Sequence, residues 1–190
     1  MKKLTFALLF VALSYSGMAQ TVWKMDKAHA QLKFDVTHLG ISTVSGAFTD
    51  FDATVTAEKP DFSDAKFDFT GQTASINTGV DKRDEHLKSP DFFDAAKFST
   101  LTFKSTSVKK AGANKYKVTG DLTLHGVTKP VTLDVWYRGT ITNPMSKKPG
   151  AGFRVTGTIK RSDFGIGSNF PNTVVSDEVN IVADGEFGKE

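Results

Sequence analysis

The chain has 190 residues, 24 lysines and arginines against 21 acids, a formal net charge of +3 and no cysteine. A length of this order suits one domain, and the missing cysteine excludes disulfides, a thiol nucleophile, a thiolate metal site and a cysteine-linked lipoprotein anchor. No basic run is long enough to hold nucleic acid, since Lys109-Lys110 and Lys147-Lys148 stand beside turn residues.

The opening Met1-Lys2-Lys3 is followed by an apolar run from Leu4 to Tyr15, with small residues at Gly17 and Ala19. This pattern predicts a secretory signal peptide over residues 1–19, cut after Ala19. Its apolar run is about a dozen residues, short of the roughly 20 that a helical span needs. Removing it takes away Lys2 and Lys3 and lowers the formal charge from +3 to +1. The expected product, residues 20–190, is a periplasmic or secreted single domain with no stable membrane insertion.

A short strand is expected near 22–27. From residue 30 the dominant period is two: Leu32, Phe34 and Val36 alternate with Lys33, Asp35 and Thr37. Alternation of this kind predicts strands with one apolar and one wet face. Eight long strands are expected, near 30–37, 44–57, 65–76, 98–108, 115–125, 131–141, 152–160 and 177–187. The second changes phase, from Val44, Gly46 and Phe48 to Phe51, Ala53 and Val55, which predicts a bulge or sharp bend near Thr49-Asp50. Short links make the neighbours antiparallel. Between Asn77 and Lys97 the period stops. There Asp81 is expected to cap a helix over Lys82–Lys88, with Asp84 and Lys88 as an i,i+4 pair. Ser89-Pro90 predicts a second short helix over Pro90–Ala95.

Such a pattern builds an all-β sandwich or a closed barrel, and periodicity does not choose between them. Sixteen phenylalanines against three tyrosines and two tryptophans suit a surface that never meets water. Gly71, Gly120, Gly157 and Gly185 fall in the apolar phase. They mark bends of the wall or leave space for something else.

Several segments resemble the YceI-like family. They are Asp26-Lys27-Ala28-His29, Phe34–Gly40, Val44–Phe51, Ile76–Gly79, Lys82–Leu87, Ser89–Asp94, Gly120–Val131, Arg161–Gly165 and Asp177-Glu178-Val179. The ordered set covers nearly the whole chain after residue 19. The resemblance implies an eight-stranded antiparallel lipocalin-like barrel with a short helical insertion near residues 80–95. It implies a long isoprenoid, such as a polyprenyl phosphate or a quinone, or a similar amphiphile bound inside, and no other cofactor. It also implies a periplasmic or secreted place, frequent homodimers and no established catalytic residues. The family's ligand contacts are mostly apolar barrel-lining positions. On this chain those are Phe34, Val36, Phe48, Phe51, Phe67 and Phe69 from the first half. Leu87, Phe92, Phe93, Phe103, Leu122, Phe153 and Phe164 follow.

Polar candidates are few. The four histidines, His29, His38, His86 and His125, form no HxH or HExxH pair. His38 is expected to close the first strand in a hydrogen-bonded role, and His125 to serve a tight turn. On a helix Arg83, His86 and Leu87 share one side. There Arg83 and His86 meet a polar head group, or Arg83 joins a surface network with nearby acids. Arg161, beside Asp163, is a second head-group candidate, and His38 a further one. Phe92 and Phe93 are expected to gate or plug the barrel. No nucleophile elbow, phosphate-cradling loop or dinucleotide fingerprint is present. A lipid-binding carrier or store, also read as a stress-protective protein, is the expectation. Alternatives are a small metal- or histidine-dependent enzyme acting on an amphiphile and an outer-membrane barrel with the faces reversed.

Overall fold

A computed structural model describes residues 20–190; the expected signal segment, residues 1–19, lies outside the described residues. The strands are β1 (Thr21–His38), β2 (Ser42–Phe48), β3 (Phe51–Ala57), β4 (Lys66–Gln72) and β5 (Ile76–Asn77), then the helix α1 (Asp81–Lys88). β6 (Thr100–Gly112), β7 (Lys115–Leu124), β8 (Val127–Thr142), β9 (Pro149–Lys160) and β10 (Glu178–Lys189) complete the order. Every pairing is antiparallel, and β10 returns to pair with β1. The sheet therefore closes as an eight-stranded barrel, with β2 and β3 forming one bent strand and β5 a short addition beside β2.

The bend at Thr49-Asp50 lies where the phase change requires it. Its backbone groups are not lost: Thr49 N–H donates to Ser75 O at 3.2 Å, and Asp50 O accepts from Gln72 N–H at 2.8 Å. The expected strand near 22–27 is not separate. β1 runs on from Thr21, interrupted by a bulge in which Asp26 to His29 stand opposite Glu186 alone. Asp26 holds that bulge by accepting from Ala28 N–H at 2.9 Å and from His29 Nδ1 at 2.8 Å.

α1 matches its expected span, but its expected cap and ion pair do not form. Val80 is the cap residue, and no side chain caps the helix. Asp84 turns back to accept from Thr78 N–H and Oγ1, at 2.8 and 2.5 Å, and Lys88 pairs with Glu85. The second helix, over Pro90–Ala95, is absent. Phe93, Asp94 and Ala95 donate their N–H groups back to Leu87, Ser89 and Lys88, and Asp94 adopts a left-handed φ of 43°. These turn bonds use the donors that a helix would have needed.

The inward faces are apolar and the outward faces carry Lys, Asp, Thr and Arg, so the outer-membrane arrangement is overturned. Among the described residues no helix is long and apolar enough to cross a membrane. One end of the barrel, where β1 begins and β10 ends, is filled by an aromatic floor. Phe62, from the β3–β4 connection, sits 5.3 Å from Trp23, 4.8 Å from Tyr137 and 5.0 Å from Phe153 between ring centroids. Such pairs each add about 0.5–1.5 kcal/mol beyond area burial. Tyr116 fastens this connection by donating its hydroxyl to Asp61 O.

The apolar-phase glycines do not leave space. A Cβ on Gly120 would lie 2.5 Å from both Lys104 O and the Phe103 ring, and one on Gly157 would lie 2.5 Å from Leu133. Phe69 and Leu101 cover Gly71, and Phe187 covers Gly185. Large neighbours occupy the space where these residues have no side chain.

At the other end, Arg161 organises residues 165–176. It is 5% exposed, and its guanidinium donates to the carbonyls of Ile166, Gly167, Phe170, Val175 and Ser176 and to Asn172 Oδ1. Asp177 completes the junction by accepting from Ser162 N–H and Oγ, both at 2.9 Å. The Ser162 N–H, more than any other neighbour, holds the Asp177 carboxyl below its ordinary 3.8.

Four outcomes are expected. Gly120→Ala lowers unfolding stability by roughly 1–3 kcal/mol, because a backbone oxygen cannot move aside. In Gly150→Ala the new Cβ meets nothing nearer than 3.9 Å, so the change stays within about 1 kcal/mol; urea titration reads both. Arg161→Met costs about 3 kcal/mol or more by the same titration, and limited proteolysis then cuts first within 165–176. A depressed carboxyl stabilises the fold above its unfolded pKa and ceases to do so as pH falls through its folded pKa. Asp177→Asn should therefore show a shallower loss of melting temperature than the parent between about pH 5 and pH 2 in calorimetry.

Candidate functional site

Above the aromatic floor the barrel is hollow. The cavity has a volume of about 440 Å³, within the roughly 300–1,000 Å³ of small-molecule sites. Its wall is built from alternate residues of every long strand. Phe34, Val36, Phe48, Phe51, Phe67, Phe69, Phe103 and Leu122 all line it, as their parity requires. Leu87, Phe92 and Phe93 close over it from α1 and the turns that follow.

Two expected lining residues do not reach it. Phe153 belongs to the floor, 5.5 Å from both Tyr137 and Phe187, so its correct parity places it below the open space. Phe164, 1% exposed, is packed into the core on the turn after β9, outside the cavity wall. Conversely, Val118, Leu133, Val155, Ile159 and Ile181 line the wall. Their alternation was visible, but it carried no aromatic mark. Phe170, Val174 and Val175 also line it from the irregular 165–176 segment, where no period exists to find them.

The lid has two halves joined by rings. Phe92 stacks on Phe170 at 4.7 Å, and His86 meets both rings edge-on, at 5.1 and 5.7 Å. Phe93 instead sits edge-on to Phe48 at 5.8 Å, against the wall. The gate expected of Phe92 and Phe93 is thus divided: Phe92 ties the two lid segments together, and Phe93 seats one of them on the barrel.

Polar side chains gather at the lid end. Arg83, His86 and Leu87 share the cavity side of α1, as the helical spacing requires. Arg83 does not join the nearby acids; its Nε donates to Thr78 Oγ1 at 2.7 Å and its Nη2 to Thr78 O at 2.9 Å. Thr78 Oγ1 in turn donates to Asp84, which is buried. A short relay therefore orients the guanidinium, and among the described residues Nη1 has no protein acceptor. His86 Nε2 lies 3.1 Å from Asp91 Oδ2. His38 lines the cavity, but its ring has no hydrogen-bond partner among the described residues; its carbonyl accepts from Ser42 Oγ and Ile41 N–H. His38 thus closes β1 as expected, through its backbone carbonyl and not its ring.

Arg161 touches the wall but cannot serve a head group, since its donors are already engaged by the carbonyls above. Its expected neighbour Asp163 pairs with Lys129 instead, at 2.9 Å. His125 behaves as a turn residue, with a left-handed φ of 51° and Nδ1 donating to Phe164 O at 3.1 Å. Away from the cavity, Asp26, His29 and Glu186 bring metal-ligand-type atoms within 4.8 Å of one another on the exposed bulge. The hydrogen bond to Asp26 raises the His29 pKa there, and the carboxylates of Asp26 and Glu186 reinforce it. These contacts account for the cluster as the clasp of the bulge.

A family model for the YceI-like domain matches residues 23–187. Protein YceI of Escherichia coli O6:H1 (strain CFT073) is 41% identical over 186 residues, spanning 96% of this chain and 95% of that protein. A crystal structure of a Campylobacter jejuni YceI protein, 35% identical, superposes with a TM-score of 0.74 over 81% of this chain and 90% of that one. A polyisoprenoid-binding domain from Saccharophagus degradans, 16% identical, has the same fold, with a TM-score of 0.64 over 89% of this chain and 98% of that one. An apolar barrel with one polar end, matched along almost all of its described length, belongs to the YceI-like family.

Proposed function

We propose that this chain is an exported, periplasmic or secreted binding protein that holds one long-chain isoprenoid in its barrel. Its role is to carry, store or protect that lipid. The observation that carries the reading is the separation of polarity along the cavity. The lining is overwhelmingly apolar, with Gln31, Lys33 and Asp184 its polar residues on β1 and β10, whereas His38, Arg83 and His86 line it at the lid end. A ligand that fits has an apolar tail and one polar end. The polyisoprenoid named for the Saccharophagus domain is a ligand of that kind.

Removing the tail from water supplies the driving force, roughly 0.8 kcal/mol per buried CH₂. Ordering a flexible tail and displacing its former surroundings offset much of that sum. The oriented group at its end, Arg83, is a donor of hydrogen bonds with no acceptor capacity. A guanidinium suits a phosphate, which it meets by a fork of donors. A polyprenyl phosphate is therefore favoured over a neutral quinone.

The test measures uptake of a polyprenyl phosphate and of the matching polyprenol by native mass spectrometry and fluorescence competition. Ala53→Trp, which fills the wall, should abolish uptake of both while leaving the melting temperature near that of the parent. Arg83→Gln should weaken the phosphate about ten-fold or more, since a hydrogen bond to a charged group is lost. It should leave the alcohol within about two-fold. Failure of the parent to take up either compound would defeat the reading.

A further inference from the structure

The β1–β2 turn carries two side chains that the fold does not need. Leu39 is 53% exposed and Ile41 is 87% exposed. The turn is tight: Ile41 N–H donates to His38 O at 3.2 Å, with φ of +52° at Leu39 and +70° at Gly40. Two consecutive left-handed residues between antiparallel strands favour Asn-Gly or Gly-Gly, and leucine is poorly suited to the first place. Leu39 is thus disfavoured twice, by its backbone and by its exposure.

The position of this turn explains the cost. Leu39 N–H donates to Val174 O at 2.9 Å, and His38 forms a bridge with Val175. Val36, His38, Val44, Val174 and Val175 all line the cavity. An apolar lining, interrupted by the His38 ring, therefore begins directly beside the exposed tip and continues into the barrel. The exposed tip itself, Leu39-Gly40-Ile41, carries no charged or polar side chain. A surface of this kind suits a neutral hydrocarbon-containing partner better than a charged one.

We propose that the Leu39–Ile41 tip dips into the surface of a phospholipid bilayer, holding the cavity mouth against the leaflet from which a lipid enters. The inference rests on the lipid-binding reading for its purpose but on the tip alone for its geometry. Adsorption is apolar in origin and reversible, because two side chains anchor far less strongly than an acyl chain pair.

Residues 20–190, which close their own barrel and core, are centrifuged with phosphatidylcholine vesicles. The parent should partition onto them, and raising salt from low to high should change the bound fraction by less than about two-fold. Leu39→Asn with Ile41→Ser should lower partitioning about ten-fold or more, since each large apolar side chain contributes at least that factor when fully buried. The melting temperature and the uptake of a polyprenol from solution should not fall. Met145→Ser, at the exposed tip between β8 and β9 on the opposite end, should partition like the parent. The proposal is overturned if the parent ignores the vesicles, if the double variant binds as well as the parent, or if Met145→Ser is the one that fails. It is also overturned if the tip instead supports a dimer, seen in ultracentrifugation of the parent and lost in the double variant, with no vesicle binding. Solution uptake reads the cavity and sedimentation reads the tip, so either can fail while the other stands.

Discussion

Closure of the sheet by β1 and β10 is the constraint from which the rest follows. Once those strands pair, the barrel has no free edge, and every strand must commit one face to the interior. The pairing tolerates the bulge at Asp26–His29 because Asp26 satisfies groups that the ladder abandons. That bulge and the bend at Thr49-Asp50 interrupt adjacent stretches of wall. Each reverses which parity faces inward, so Trp23 and Leu32 both point to the interior from one strand.

A closed interior has to be filled by side chains or left for a guest, and this chain does both at different levels. Near the start of β1 and the end of β10, Phe62, Trp23, Tyr137, Phe153 and Phe187 pack ring against ring. Above them the Phe103 ring occupies the space over Gly120, and Phe34 that over Gly46, where a Cβ would come within 2.3 Å of its ring. The same residue type thus makes the floor where rings meet one another and lines the cavity where they meet a glycine of the wall.

The two arginines near the cavity show how neighbours decide a role. Arg161 is surrounded by backbone carbonyls that it gathers from several turns, and it becomes the framework of the 165–176 segment. Arg83 is oriented from one side only, by Thr78, and keeps capacity toward the cavity. One arginine builds the frame of the mouth and the other faces what enters it.

The alternating residues determined the strands, and the phase change from Val44–Phe48 to Phe51–Val55 determined the bend. The 3.6-residue spacing determined that Arg83, His86 and Leu87 face one way. These are local properties, set by how consecutive side chains leave a backbone. Parity does not state height along a barrel, so Phe153 and Phe103 looked alike although one is floor and the other cavity wall. Nor does a sequence state which distant carbonyls will surround an arginine, or that Phe62, outside any strand, will be driven into the core with a φ of +58°. Pro90–Ala95 carried helix signals that lost to hydrogen bonds with Leu87, Lys88 and Ser89, available only once the lid had folded back on α1. Those outcomes belong to the tertiary structure, because each depends on groups far away in the chain or on how the chain turns back on itself.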